Sequence, residues 1–121
     1  MNEITLDHLV IFASRSGNYD LLLERIEKGG NVNAFDNIHG SPLIAAITNN
    51  HLKILDLLIS KGADVNVAYA DDTGPLEIGL KTPNPAIVYR LVCAGAKLKK
   101  KTRPYYLKRL EDFLNKVKEN I

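Results

Sequence analysis

The chain has 121 residues, a size that one hydrophobic core can serve, since cores divide only beyond about 250 residues. Its apolar content is that of an ordinary folded protein, which excludes wholesale disorder, and its longest apolar runs, Leu9–Ala13 among them, are far short of the ~20 residues that cross a bilayer. The formal charge of +2 conceals a split: 7 basic against 11 acidic side chains over Met1–Ala96, then 9 against 3 over Lys97–Ile121. Such an imbalance steers charged partners but decides no fold.

Taken in order, the chain opens with a helical stripe, Leu6, Leu9, Val10 and Ala13, behind Thr5, whose hydroxyl is placed to cap the helix start. Gly17-Asn18 breaks that helix, and Tyr19–Lys28 supplies a second, with Leu22 and Ile26 as its i, i+4 pair. Phe35–Ser41 reads as a polar turn, after which Pro42 sits in the first turn of a third helix, where its missing N–H costs nothing. The stretch HLKILDLLISKGADVN (His51–Asn66) is the clearest element: Ile54, Leu55, Leu58 and Ile59 make one apolar stripe, and Gly62 ends the helix. A second polar turn, AYADDTG (Ala68–Gly74), leads into a helix opened by Pro75-Leu76. Thr82-Pro-Asn-Pro85 then connects to a helix carrying Ile87, Val88, Leu91 and Val92. Pro83 disfavours helix at Thr82, so this connection is expected to differ from the earlier ones. Beyond a basic stretch, Leu107, Leu110, Leu114, Val117 and Ile121 predict a final helix at about 103–120.

These elements repeat. Gly29, Gly62 and Gly95 are each 33 residues apart, and Val32/Val65, Asn33/Asn66, Pro42/Pro75 and Leu43/Leu76 keep the same step. A 33-residue unit of one turn and two helices with a Pro-Leu opening resembles the ankyrin repeat. Ser41–Asn66 follows that pattern almost without a gap, and the flanking copies follow it more loosely up to about Lys100. The resemblance implies an all-α ankyrin-repeat solenoid: one domain over 1–121, three helix-turn-helix repeats at about 5–34, 35–67 and 68–100 with short finger turns, closed by a C-terminal capping helix. In the first copy Leu9 replaces the proline and Arg25 stands where the middle copy has Leu58, as expected of a terminal repeat with one face in water. In the first finger Gly40 lies one place later than the family's glycine, which His39 replaces, so an altered turn is expected.

No catalytic pattern emerges. His8, His39 and His51 have no HxxxH spacing, and Cys93 is the only cysteine, so no metal site and no disulfide are expected. Phosphate-binding glycine patterns are absent, and Asp71-Asp72 reads as a solvated pair in a turn. We therefore expect no enzyme and no cofactor. The acidic start MNEITLDHL and the single cysteine suit a cytoplasmic protein without a signal peptide or membrane anchor.

What the resemblance implies for function is protein binding through finger tips and the exposed positions of the inner helices. Carried onto matching positions, these are Phe35, Asn37, Ile38 and His39 on the first finger, and Tyr69, Asp71 and Asp72 on the second. Ala45, Thr48, Asn49, Ile78, Lys81 and Thr82 come from the inner helices. Phe35, Ile38 and Tyr69 stand out as large tips suited to anchoring. The expected partner is a folded protein, and the expected state a monomer. The most specific expectation is a bacterial immunity protein that covers a cognate toxin; the alternatives are a general adaptor or scaffold, and nucleic-acid binding through LKKKTRPYYLKR (Leu98–Arg109), which mixes cations with two tyrosines.

Overall fold

A computed structural model describes residues 4–67 and 73–119. Among these the chain forms seven helices and no strand: α1 (Leu6–Ser16), α2 (Tyr19–Glu27), α3 (Pro42–Thr48), α4 (Leu52–Ser60), α5 (Pro75–Leu80), α6 (Pro85–Cys93) and α7 (Arg103–Glu119). The all-α class implied by the resemblance is the class observed among the described residues. They fall into two compact units, Met1–Asp64 and Val65–Ile121.

In the first unit α1 packs on α2, α3 packs on α4, and the two hairpins lie side by side through α1 on α3 and α2 on α4. Val10, Ile11, Ala13, Leu22, Leu43, Ala46, Ile47, Ile54, Leu55 and Leu58 form the core. Each large aliphatic among them contributes about 1.5–3 kcal/mol by leaving water. Thr5 does cap α1: its Oγ1 accepts from the His8 amide at 3.2 Å, while His8 Nδ1 accepts from the Thr5 amide at 3.2 Å. Arg25, at the position where Leu58 and Leu91 are fully buried, lies half-buried with its guanidinium 3.5 Å from Glu24.

The helix exits repeat as bonding patterns. At the end of α4, Ala63 N–H donates to Leu58 O at 2.9 Å and Gly62 N–H to Ile59 O at 3.1 Å, with Gly62 at φ 89°. Gly30 to Arg25 (2.9 Å) and Ala96 to Leu91 (2.9 Å) copy the longer bond at the ends of α2 and α6. These are Schellman closures, which pair carbonyls that the helix end leaves without partners. Asn33 Oδ1 then accepts from the Asp64 amide at 2.7 Å, and Asn66 Oδ1 from the Lys97 amide at 2.8 Å, so the recurring asparagine ties one exit to the next.

The inner helices close in the same way twice. Gly17 (φ 76°) ends α1 and Asn50 (φ 61°) ends α3, with Asn18 N–H donating to Ala13 O at 3.0 Å and His51 N–H to Ala46 O at 2.9 Å. The third copy has Pro83 here, which cannot take a positive φ. Thr82 instead donates from both N–H (3.1 Å) and Oγ1 (2.7 Å) to Gly79 O, and Asn84 caps α6 through its side chain. The expected difference in the third connection is thus present.

In the second unit α5 packs on α6, and α7 lies against α5. Here the expected stripe needs correction. Tyr106, Leu107, Leu110, Phe113 and Val117 are half-buried, whereas Leu114 is exposed and Ile121 lies outside the described residues. Among the described residues of α7 none is fully buried. The reason is length: at 1.5 Å per residue, six-residue α5 offers about 9 Å of support to a helix of about 25 Å.

His51 joins the two hairpins of the first unit, its Nε2–H donating to Arg15 O at 3.0 Å. A Cβ on Gly17 would stand 2.8 Å from the His51 ring, whereas at Gly62 it would meet nothing within 4 Å. Both positions carry the cost of a positive φ, about 1 kcal/mol. We predict that Gly17→Ala lowers unfolding stability more than Gly62→Ala in urea denaturation. Adding His51→Ala should recover part of the Gly17→Ala loss; strictly additive effects would contradict the contact.

Candidate functional site

The first finger is built around Asp36. Its N–H donates to Gly40 O at 3.1 Å and Gly40 N–H returns to Asp36 O at 2.7 Å, closing an isolated antiparallel bridge. Asp36 Oδ1 accepts from the amides of Ile38 (2.6 Å) and His39 (3.2 Å). The Ile38 amide bond is the main cause that holds the Asp36 carboxyl below its ordinary value, opposed by desolvation and helped by the His39 amide. Gly40 takes the positive φ, 75°, so the displaced glycine rebuilds the turn and leaves His39 unstrained.

That turn holds large apolar side chains in water. Ile38 is 84% exposed and Phe35 58%, with Asn37 exposed beside them. His39 is half-buried, and Arg15 of α1 donates to its Nε2 at 3.3 Å. One turn before Arg15, Phe12 is 54% exposed. Phe12 and Arg15 stand 33 residues before Ala45 and Thr48, so carrying the period back into the first copy would have named them.

The inner-helix positions are less uniform. Ala45 is only 2% exposed, so the expectation that it meets a partner is corrected: between α3's neighbours a methyl group is too short to reach the surface. Thr48 and Asn49 are exposed, but their side chains turn back to the α3 carbonyls, Thr48 Oγ1 to Ile44 O at 3.0 Å and Asn49 Nδ2 to Ala45 O at 2.8 Å.

In the second unit Tyr69, Asp71 and Asp72 lie outside the described residues. Ile78 and Thr82 are half-buried, and the exposed Lys81 holds its ammonium 5.8 Å from the Tyr106 ring centroid, within cation–π range. Beneath them lies Glu77, fully buried. Its Oε2 accepts from the Lys99 amide at 2.9 Å and from Thr102 Oγ1, while Oε1 has no hydrogen-bond partner among the described residues. Lys99 Nζ donates to Asn66 O. A buried carboxylate thereby anchors the start of the basic stretch. Glu77 was legible as an anomaly, since the same position holds buried Ile11 and Ile44 in the earlier copies.

The three histidines serve the cap of α1, the finger and the α1–α4 junction; Cys93 is exposed. Among the described residues no three of His, Cys, Asp and Glu come together as a metal site would require, and no helix is long and apolar enough to cross a membrane.

Comparison with known proteins agrees with this geometry. The family model for ankyrin repeats (3 copies) matches residues 9–102. An ankyrin repeat-containing protein of Schizosaccharomyces pombe is 31% identical over 64 residues, 53% of this chain and 31% of its own length. An acyl-CoA-binding domain-containing protein of Arabidopsis thaliana is 43% identical over 63 residues, 52% of this chain and 18% of its own. An ankyrin repeat protein of fowlpox virus is 30% identical over 82 residues, 66% of this chain and 12% of its own. The chain spans less than a third of the length of these relatives.

Two outcomes follow from the buried carboxylate and the finger. Thr102→Val removes one donor to Glu77 and should lower stability by about 1–3 kcal/mol in urea denaturation, with Thr102→Ser recovering most of it. Because the folded-state value of Asp36 is depressed, its contribution is present above the unfolded carboxylate value and is lost as pH falls through the folded one. In an NMR titration the Ile38 and His39 amide shifts should move together with that protonation, below the unfolded Asp value; independent movement would contradict the turn.

Proposed function

The chain belongs to the ankyrin-repeat family, and from that premise we propose that it is a non-catalytic module binding a folded protein through its first finger and the outward side chains of its inner helices. Ankyrin repeats generally mediate protein–protein interaction and are generally non-catalytic. The observation that carries the reading is the exposure of Phe12, Phe35 and Ile38 within one unit, the latter two on a turn fixed by Asp36 and Gly40. Large apolar side chains kept in water on a rigid support are suited to anchor a partner, because little ordering entropy remains to be lost on binding.

Tyr69, Asp71, Asp72, Ile78, Lys81 and Thr82 extend the proposed contact set by family position. We place the protein in the cytoplasm, as a monomeric single domain without a cofactor. In its narrower form the partner is a toxin and the chain its immunity protein, a reading supported by its unequal charge halves. Co-expression with the product of an adjacent gene should then rescue growth, and no rescue would leave the adaptor form. The basic stretch from Lys97 and exposed Tyr105 favour a second reading, nucleic-acid binding. Appreciable affinity for mixed-sequence RNA or DNA at physiological salt would support it against the first.

For a partner recovered by crosslinking in the native host, Phe12→Ala with Ile38→Ala should weaken binding by about 2 kcal/mol or more, roughly thirtyfold. The urea midpoint should stay nearly unchanged. A matching loss of stability, or no loss of affinity, would remove these side chains from the contact.

A further inference from the structure

Helix α7 carries more apolar surface than its support can cover. Leu107 and Leu110 are half-buried, Leu114 is exposed, and the short α5 spans only about a third of α7. What remains beside it is a groove of about 320 Å³ within the second unit. Its aliphatic walls are half-buried Val92, Leu98, Leu107 and Leu110 together with buried Leu76 and Ala96. Lys97 and Arg103 line its rim, both exposed. Among the described residues neither side chain has a carboxylate within ion-pair distance. The surrounding sequence reinforces that charge, since Ile78–Leu110 holds nine lysines and arginines and no aspartate or glutamate.

We infer that this groove takes a short acidic, amphipathic segment of a partner protein, with aliphatic side chains seated against its aliphatic walls and carboxylates facing Lys97 and Arg103. The inference rests on the protein-binding reading and gives it a second surface of defined chemistry. Three alternatives fit less well. A neutral apolar segment would partly desolvate two cations without pairing them. A nucleic acid would find aliphatic walls in place of the aromatic platforms on which bases stack; Tyr105, though exposed, is not among the groove's lining. An anionic bilayer meets the cations but leaves a concave, side-chain-sized groove unfilled. A carboxylate paired at the mouth of an apolar groove satisfies both features at once, because each cation gains a partner as the walls leave water.

The test uses the full chain and a synthetic helical peptide with leucines on one face and glutamates on the other. Two control peptides replace either all glutamates by glutamine or all leucines by serine. Binding is read by fluorescence anisotropy at physiological salt and by methyl NMR shifts. The glutamate–leucine peptide should bind, shift the Val92, Leu98 and Leu107 methyls, and exceed both controls in affinity by roughly tenfold or more. Lys97→Glu with Arg103→Glu, two exposed changes checked for folding by circular dichroism, should weaken it by a similar factor. Phe12→Ala with Ile38→Ala should leave it unchanged. Equal binding of all three peptides, or full binding by the charge-reversed variant, would overturn the inference. So would tighter binding of single-stranded DNA or phosphatidylserine vesicles at the same methyls, or self-association through the groove in sedimentation. If the peptide fails while a native partner still depends on Ile38, the groove falls and the protein-binding reading stands; if neither holds, both fall.

Discussion

Two backbone hydrogen bonds at the end of each outer helix make the remaining architecture possible. A helix that stops leaves its last carbonyls without partners, and burying them unpaired costs about 1–3 kcal/mol each. Glycine in the left-handed conformation turns the chain so that its own amide and the next reach back to those carbonyls. The exit also sets direction, because Asn33 and Asn66, four residues beyond Gly29 and Gly62, then reach the backbone of the following exit. The 33-residue step in the sequence is therefore a step in hydrogen bonding. Packing of buried side chains such as Leu22, Leu55, Leu58 and Leu91 contributes stability, but the closures decide which faces can meet.

The proposed recognition surfaces lie in what that frame leaves outside. The first finger is held by Asp36 and Gly40, and it carries Phe35 and Ile38 exposed to water. The basic stretch after Ala96 is held differently, from beneath, through Glu77, Thr102 and Lys99. Burial of the Glu77 side chain is eased there by two donors that meet one of its oxygens. The two surfaces differ in chemistry, one aromatic and aliphatic with a single arginine–histidine contact, the other cationic around an aliphatic groove.

Helices, exits and the first finger's place were legible because each is dictated locally, by a stripe of apolar residues, a glycine or a proline. The third connection was legible too, since Pro83 cannot copy what Gly17 and Asn50 do. Other features depend on neighbours that no local pattern encodes. Ala45 occupies a surface position by family register but is too small to emerge from α3's surroundings. Leu114 matches the stripe of α7, yet Phe113 takes the inward place because the short α5 supports only part of that face. Phe12 and Glu77 lay within reach of the repeat arithmetic, one as an oversized surface residue and the other as a charge at a core position.

Native-state hydrogen exchange at the amides of Gly30, Ala63 and Ala96 tests this account most directly. If the helix closures hold the frame, these three amides should exchange as slowly as the core of α4, while that of Asn37 at the finger tip exchanges orders of magnitude faster. Exchange of Gly30, Ala63 and Ala96 at finger rates would contradict it.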